Sequence, residues 1–200
     1  LESRIQEEVT SLVSHIREFN GQPRDIRESF TISVSNVICS ILLGKSFPFD
    51  DCEELKKVIS AMDGMNLISK LTFVDFLPAL AHLPFFKRCA EKIVDSNSTL
   101  VGFLKSVIAE HEATLGSEQS DDDFIDIFLD KGDKDYDSES LLYIVRDFFL
   151  AGTDTTATTL QWAMVYMANN PDIQSRVQEE LDQEVGRGRL AKLTDKSRLP

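Results

Sequence analysis

Apolar residues recur at three- and four-residue spacing along most of this chain, which is the period of an amphipathic helix. The pattern covers the stretches 5–19, 26–43, 51–62, 87–115 and 171–185, each followed by Gly, Pro or a polar run of the kind that ends a helix. The β-branched residues of 26–43 leave a strand conceivable there, and the pattern beyond residue 62 predicts fraying over 66–70. The sequence therefore predicts an all-α fold.

The longest apolar run, from Ser138 to Asn170, predicts one long central helix. Its middle carries the sequence AGTDTT, from Ala151 to Thr156. Glycine weakens a helix, and hydroxyl side chains compete for backbone carbonyls. One glycine and three threonines within six residues at the centre of a buried helix indicate either a functional site or a place where two helices pack closely.

Positions 147, 151 and 155 are four apart, so Asp147, Ala151 and Thr155 project from one side of the predicted helix. Ala151 and Gly152 would let a flat or bulky group approach the backbone. The Thr155 hydroxyl can bond the carbonyl four residues back and bend the helix, and Asp154 can supply protons through water. This face predicts an oxygen- or water-handling site.

Composition narrows the class of protein. At 200 residues and 42% hydrophobic, the chain can bury the core of one domain. The formal net charge of -13 argues against nucleic-acid binding. One basic stretch, Arg187 to Arg198, is either a solvated loop or a contact for an acidic partner.

The spacing of Cys39, Cys52 and Cys89 fits neither paired metal ligation nor a disulfide framework, which favours a reducing compartment.

Two metal-binding motifs nearly occur. His111 and Glu112 begin like the HExxH zinc motif, but Leu115 stands where the second histidine is required. The acids between 130 and 139 resemble a calcium loop, but its glycine and its bidentate acid are missing. The acids of 121–123 are interpreted as a solvated cap on the helix that follows them.

The segment Phe76–Phe86 is strongly apolar, and its prolines at 78 and 84 exclude one continuous helix. An apolar loop of this kind needs a partner. It packs on the body of the protein or dips into a membrane surface. The sequence contains no signal peptide and no apolar run of membrane-spanning length.

The stretch Ala151 to Thr156 resembles the [AG]Gx[DE]T[TS] signature of the cytochrome P450 heme-thiolate monooxygenases. Flanking stretches resemble the microsomal family-2 type in the same order, so the likeness covers almost the whole chain. These stretches are Asn20 to Pro23, Asn36 to Ile41, Thr158 to Leu160, Asn170 with Pro171, Val177 to Leu181 and Ser197 to Pro200.

This resemblance implies a monooxygenase that inserts one atom of O2 into a lipophilic small molecule, with heme b as cofactor. Electrons from NADPH would arrive through NADPH-cytochrome reductase. The implied location is the cytoplasmic face of the endoplasmic reticulum membrane, with Phe76–Phe86 as the loop that touches the membrane. No nucleic-acid partner is expected.

Residue roles follow from the same resemblance. The threonine that handles bound oxygen and guides protons to it matches Thr155, and its acidic partner matches Asp154. The positions implied to contact heme are Ala151 and Gly152, and those implied to contact substrate are Asp147, Phe148, Leu150 and Ala151. At Leu150 the family resemblance leads us to expect glycine or another small residue, so a leucine that points inward would narrow the pocket. Residues 66–70 and 94–100 are implied to form further pocket walls.

The same resemblance implies that the heme-ligating cysteine lies downstream of the central helix, which excludes the three cysteines present as the iron ligand. It also implies that the ExxR motif begins after Pro200 and that a propionate-binding arginine precedes Leu1. Residues 1–200 are therefore predicted to be one partial domain, truncated at both ends, that neither binds heme stably nor turns over alone. The alternative is a non-catalytic, all-helical interaction module or a degenerate enzyme fragment.

Overall fold

The structure is a computed structural model, and it describes residues 1–65, 67–114, 123–131 and 138–199. Helices account for most of these residues, and no strand occurs among them, so the predicted all-α fold is confirmed. Eight α-helices are described: α1 (Glu2–Arg17), α2 (Arg27–Leu42), α3 (Glu53–Met65), α4 (Ile68–Phe76), α5 (Pro84–Thr114), α6 (Phe124–Lys131), α7 (Ser138–Asn169) and α8 (Pro171–Glu184). Two 3-10 helices, Pro78–His82 and Leu193–Arg198, complete the described elements.

One expectation from the periodicity is confirmed by the structure and one is corrected. The stretch 26–43 forms helix α2, as its helical stripe of apolar residues predicts, and the strand that its β-branched residues left conceivable is excluded. The fraying expected over 66–70 gives way to helix α4, which begins at Ile68 and brings the chain back against α5. Helix α4 is stabilised by packing against neighbouring helices, and its own short apolar pattern does not indicate that packing.

The prolines at 78 and 84 divide the apolar segment as predicted. Helix α4 ends at Phe76, a 3-10 turn follows from Pro78, and α5 begins at Pro84. Proline fits the first turn of a helix because the missing N–H has no intrahelical acceptor there. The segment therefore contains the end of α4, a 3-10 turn and the start of the long helix α5 rather than an irregular loop.

The chain divides into two compact units. The middle unit is Ile38–Gly152, and the terminal unit combines Leu1–Val37 with Thr153–Pro200. In the middle unit, α3 packs on α5, and both contribute fully buried leucines, Leu55 and Leu100. A Cβ at Gly64 of α3 would stand 1.9 Å from the Ser96 hydroxyl of α5, so this glycine permits the close approach of the two helices.

In the terminal unit, polar side chains connect the helices. The Ser33 hydroxyl of α2 donates a 2.6 Å hydrogen bond to Glu8 of α1. Burial raises the pKa of Glu8, although its hydrogen bonds oppose the shift. The Gln161 amide of α7 donates to the Thr31 hydroxyl of α2 at 3.3 Å. Within the described part of the chain, no helix is both long and apolar enough to cross a membrane.

Candidate functional site

The residues singled out by the sequence lie on helix α7, which continues unbroken from Ser138 to Asn169. Asp147, Ala151, Asp154 and Thr155 are all solvent-exposed. Their spacing of three and four residues places them along one strip of the helix surface. We call these four residues the exposed strip of α7.

A second stripe of α7 is buried. Phe149, Thr153 and Ala157 follow one another at intervals of four and are 0%, 0% and 2% exposed. Thr153 therefore belongs to the buried side, although it stands inside the AGTDTT stretch. Its Oγ1 has no hydrogen-bond partner among the described residues. This burial could have been predicted from the four-residue spacing of Phe149, Thr153 and Ala157 in the sequence.

Gly152 lies beside a side chain of α2. A Cβ added at Gly152 would stand 2.7 Å from Cδ1 and 3.2 Å from Cγ1 of Ile38. Real Cβ atoms do not approach other carbon atoms this closely, so the absence of a side chain permits this packing. One function of Gly152 is thus structural, and the direction that its Cβ would take is occupied by Ile38.

The residues before Ala151 are held by neighbours in the middle unit. Asp147 accepts hydrogen bonds from Nε and Nη2 of Arg146 at 3.1 and 2.8 Å. The Phe148 ring packs against Phe124 of α6 at 6.0 Å between centroids and is still 58% exposed. Leu150 is half-buried. The exposed aromatic ring of Phe148 lies next to the exposed strip and supplies apolar surface there.

The three cysteines are buried. Burial raises the pKa of the Cys39 thiol to about 12, so it stays protonated at neutral pH. The Cys52 thiol donates to the Phe49 carbonyl at 3.2 Å. Thiolates, not thiols, ligate iron, so the protonated thiol of Cys39 suits a packing role instead.

Sequence reasoning missed a buried polar cluster in the middle unit. His111 Nδ1 lies 2.8 Å from the Val107 carbonyl, and Nε2 lies 2.8 Å from Asp123 Oδ2. Asp123 Oδ1 accepts from the Asp126 backbone N–H at 2.9 Å, which makes it the N-cap of α6. Asp123 is only 1% exposed, so the predicted cap is present but is not solvated. Its burial depends on the histidine twelve residues earlier, and no local pattern signals that pairing.

The pKa of His111 reflects opposing effects. Burial lowers it, but the Val107 carbonyl, Asp123 and Asp126 together raise it above the ordinary histidine value. Leu115, the acids at 121 and 122, and the stretch 132–137 lie outside the described residues. The rejected zinc and calcium motifs there stay predictions, as does the pocket wall at 66–70, which is only partly described.

The basic stretch near the C-terminus is organised around a buried acid. Asp195 accepts hydrogen bonds from Arg189 at 2.6 and 2.9 Å and from Arg198 at 2.5 Å. Hydrogen bonds from Arg189 hold the pKa of Asp195 far below its usual range. Arg187 pairs with Asp182. These three arginines are therefore paired within the chain and still exposed to solvent, and the sequence did not predict the pairing.

The sequence of the chain can be compared with those of known proteins. The family model described as cytochrome P450 matches residues 1–200. The chain belongs to the cytochrome P450 family. It is 34% identical to cytochrome P450 2U1 of Homo sapiens over 213 residues, covering 100% of this chain and 38% of that protein.

Two further relatives show the same partial coverage of longer proteins. The chain is 35% identical to cytochrome P450 2J5 of Mus musculus, covering 100% of this chain and 41% of the relative. It is 32% identical to cytochrome P450 18a1 of Drosophila melanogaster, with coverages of 100% and 39%. The chain thus spans about two fifths of the length of these curated relatives. Its resemblance to the family-2 cytochromes P450, inferred from the AGTDTT stretch and its flanks, is confirmed.

Proposed function

We propose that this chain is the middle section of a heme-dependent monooxygenase domain, which inserts one atom of O2 into a lipophilic small molecule. Membership of the cytochrome P450 family supports the class of reaction. The exposed strip of α7 is the observation that supports a role for particular residues. It combines a small side chain, a carboxylate and a hydroxyl on one surface of the helix. A degenerate or non-catalytic helical module has no need of that combination.

The exposed strip fits one side of a heme. Ala151 is exposed and has the smallest side chain that keeps good helix propensity, so a flat ring system can approach the backbone there. Gly152 would contribute through its backbone, since Ile38 occupies its Cβ direction. Cys39, whose buried thiol has a raised pKa, does not fit a thiolate ligand of iron, and in this proposal that ligand comes from outside residues 1–200. When bound, heme b supplies the oxygen-activating and one-electron chemistry.

The proton-handling residues in this proposal are Thr155 and Asp154. The Asp154 carboxylate is exposed and can exchange protons with solvent. The Thr155 hydroxyl can accept a proton from water and donate one toward the reacting oxygen. Thr155 Oγ1 is thus the last group in the proposed path, and Asp154 feeds it through water.

Asp147, Phe148, Leu150 and Ala151 are the proposed substrate contacts. The exposed ring of Phe148 supplies apolar surface for a lipophilic molecule. The charge of Asp147 is offset by Arg146 at 2.8 Å, which lowers the cost of an apolar neighbour. The half-buried Leu150 would narrow the space beside them. Electrons would reach the heme from NADPH through a cytochrome reductase.

The experiment replaces Thr155 with alanine in the heme-loaded full-length protein, reconstituted with NADPH and a cytochrome reductase. We expect the ratio of oxygenated product to hydrogen peroxide to fall about 10-fold or more, because proton delivery by a positioned group contributes on that scale or above it. The matched control is Thr156→Ala, an exposed threonine that lies about 100° around the helix axis from Thr155 and outside the strip. An unchanged ratio in Thr155→Ala would remove the proton role. A reduced carbon-monoxide spectrum without a thiolate-heme Soret band would favour the non-catalytic alternative.

We further propose that the apolar segment Phe76–Phe86 contacts a membrane, with the protein at the cytoplasmic face of the endoplasmic reticulum. Phe76, Leu77 and Phe85 are 79%, 60% and 56% exposed, so the described parts of the chain do not cover them. Replacing these three residues with serine should reduce sedimentation of the full-length protein with phosphatidylcholine vesicles. The control replaces three exposed apolar residues elsewhere, Trp162, Val165 and Tyr166. Equal loss in both variants would contradict a specific contact.

A further inference from the structure

The Phe148 ring of α7 has one aromatic neighbour among the described residues. Its centroid lies 6.0 Å from that of Phe124, the first residue of α6, and the two ring planes are tilted by 59°. Tilted aromatic pairs at this separation attract each other because the edge of one ring faces the π-surface of the other. More than half of Phe148 is nevertheless exposed. Phe124 therefore covers one side of this ring and leaves the rest open to a ligand.

The Phe124 ring is itself held in place by its own surroundings. The residue before it, Asp123, is buried, contacts His111 of α5 at 2.8 Å and caps α6. The residue after it, Ile125, is fully buried. One turn further along α6, the ring of Phe128 packs against the Phe124 ring at 6.0 Å between centroids. Contacts within α5 and α6 thus fix the position of the Phe124 ring.

The Phe148 side chain needs such a support to keep one orientation. The neighbouring Phe149 is fully buried, which fixes the backbone of α7 at this point but not the side-chain torsions of Phe148. An exposed aromatic side chain on a helix can occupy about two staggered wells of χ1. It exchanges between such wells in picoseconds to nanoseconds. Contact with Phe124 favours one well, so the open part of the Phe148 ring faces one direction.

We propose that Phe124 is a positioning residue for the lipophilic substrate and that it acts through Phe148. This role rests on the proposed function, in which Phe148 contacts substrate. A ring that already has its binding orientation loses no rotamer freedom when the ligand arrives. A ring that also occupies a second well binds more weakly, in proportion to the fraction of time that it spends in the binding orientation. With about two wells, loss of the Phe124 ring should weaken substrate binding at least about 2-fold.

Fluorine NMR of the ring tests the positioning directly. Phe148 is replaced by para-fluorophenylalanine in the heme-loaded full-length protein, in its diamagnetic carbon-monoxide form. We expect Phe124→Leu to lengthen the transverse relaxation time of this fluorine, because the ring then moves between wells. Phe124→Tyr keeps an aromatic ring and should leave the relaxation time at the wild-type value. The same relaxation time in Phe124→Leu as in the wild type would overturn the proposal.

Equilibrium dialysis with naphthalene, a lipophilic probe, tests the consequence for binding. Phe124→Leu should raise the dissociation constant at least about 2-fold, whereas Phe124→Tyr should leave it unchanged. The matched control is Phe19→Leu, which removes a half-buried ring of the terminal unit whose neighbour is His15. In the Phe148→Ala background, Phe124→Leu should have no further effect, because the residue through which it acts is gone. Circular dichroism of each variant checks that the fold is retained.

The pattern of dissociation constants separates this role from the proposed function. If Phe148→Ala weakens naphthalene binding and Phe124→Leu does not, the ligand contact of Phe148 stands and the positioning role of Phe124 alone is overturned. If Phe148→Ala leaves binding unchanged, the substrate contact assigned to Phe148 fails, and the positioning role fails with it. A full effect of Phe124→Leu in the Phe148→Ala background would show that Phe124 acts by another route and would also overturn the proposal.

Discussion

The two sides of helix α7 differ within a single pair of neighbouring residues. Phe148 is 58% exposed, whereas Phe149 is fully buried. The exposed strip holds the carboxylate, hydroxyl and small side chain to which we assign chemistry, and the buried stripe holds Phe149, Thr153 and Ala157. The residues with a proposed chemical role and the residues that pack in the core thus lie on different sides of the helix. Along the AGTDTT stretch, residues of the two groups alternate.

This difference shows that one short sequence signature can contain residues that serve different physical purposes. Within AGTDTT, Ala151, Asp154 and Thr155 are exposed, Thr153 is buried, and Gly152 contacts Ile38. Substitutions on the buried side should therefore change the free energy of unfolding, while those on the exposed strip should change coupling or ligand contacts.

The largest effect is expected at Phe149. Replacing this fully buried ring with alanine removes apolar burial and leaves a cavity, so Phe149→Ala should lower the free energy of unfolding by about 3–5 kcal/mol. Phe148→Ala, one residue away on the exposed side, should change it by no more than about 0.5 kcal/mol. Denaturant unfolding of the full-length protein measures both. Similar losses in the two variants would show that the two sides are not distinct.

A smaller effect is expected at Gly152, where an added methyl group meets Ile38. Gly152→Ala should be less stable than Gly102→Ala by about 1–3 kcal/mol, because overpacking costs energy whereas Gly102 has nothing within 4 Å of its Cβ position. Thermal unfolding in parallel compares the two. The second substitution Ile38→Val removes the Cδ1 atom and should restore most of the loss. If it restores nothing, Ile38 is not the cause.

The smallest effect is expected at Thr153, whose buried hydroxyl has no partner among the described residues. Thr153→Val keeps the branched shape and removes the hydroxyl, so the free energy of unfolding should rise by about 1 kcal/mol. Thr158→Val, at an exposed position of the same helix, should leave it unchanged. A loss of stability in Thr153→Val would mean that this hydroxyl makes a bond in the protein. The ratio of product to peroxide in Thr153→Val should stay at the wild-type value, unlike that of Thr155→Ala.

Much of the fold could be predicted from the sequence because helix formation depends on short-range periodicity and on local stop residues. Gly44 and Gly186, with φ of 61° and 80°, follow α2 and α8 where the sequence predicted helix ends. Helix α4 was missed because its nine residues carry a weak pattern and fold against α5. The chemistry assigned to Thr155 and Asp154 rested on the family resemblance and stays a prediction.

The sequence by itself determined the all-α class, the position of the long helix and the family, since these depend on periodicity and on residue order. Only the tertiary structure decided that Asp123 is buried against His111 and that Gly152 packs on Ile38. It also decided that Asp195 forms ion pairs with Arg189 and Arg198. Each of these facts depends on which side chains meet across distant parts of the chain. Burial and pairing are properties of such contacts, and neither the type of a residue nor its immediate neighbours in sequence specify them.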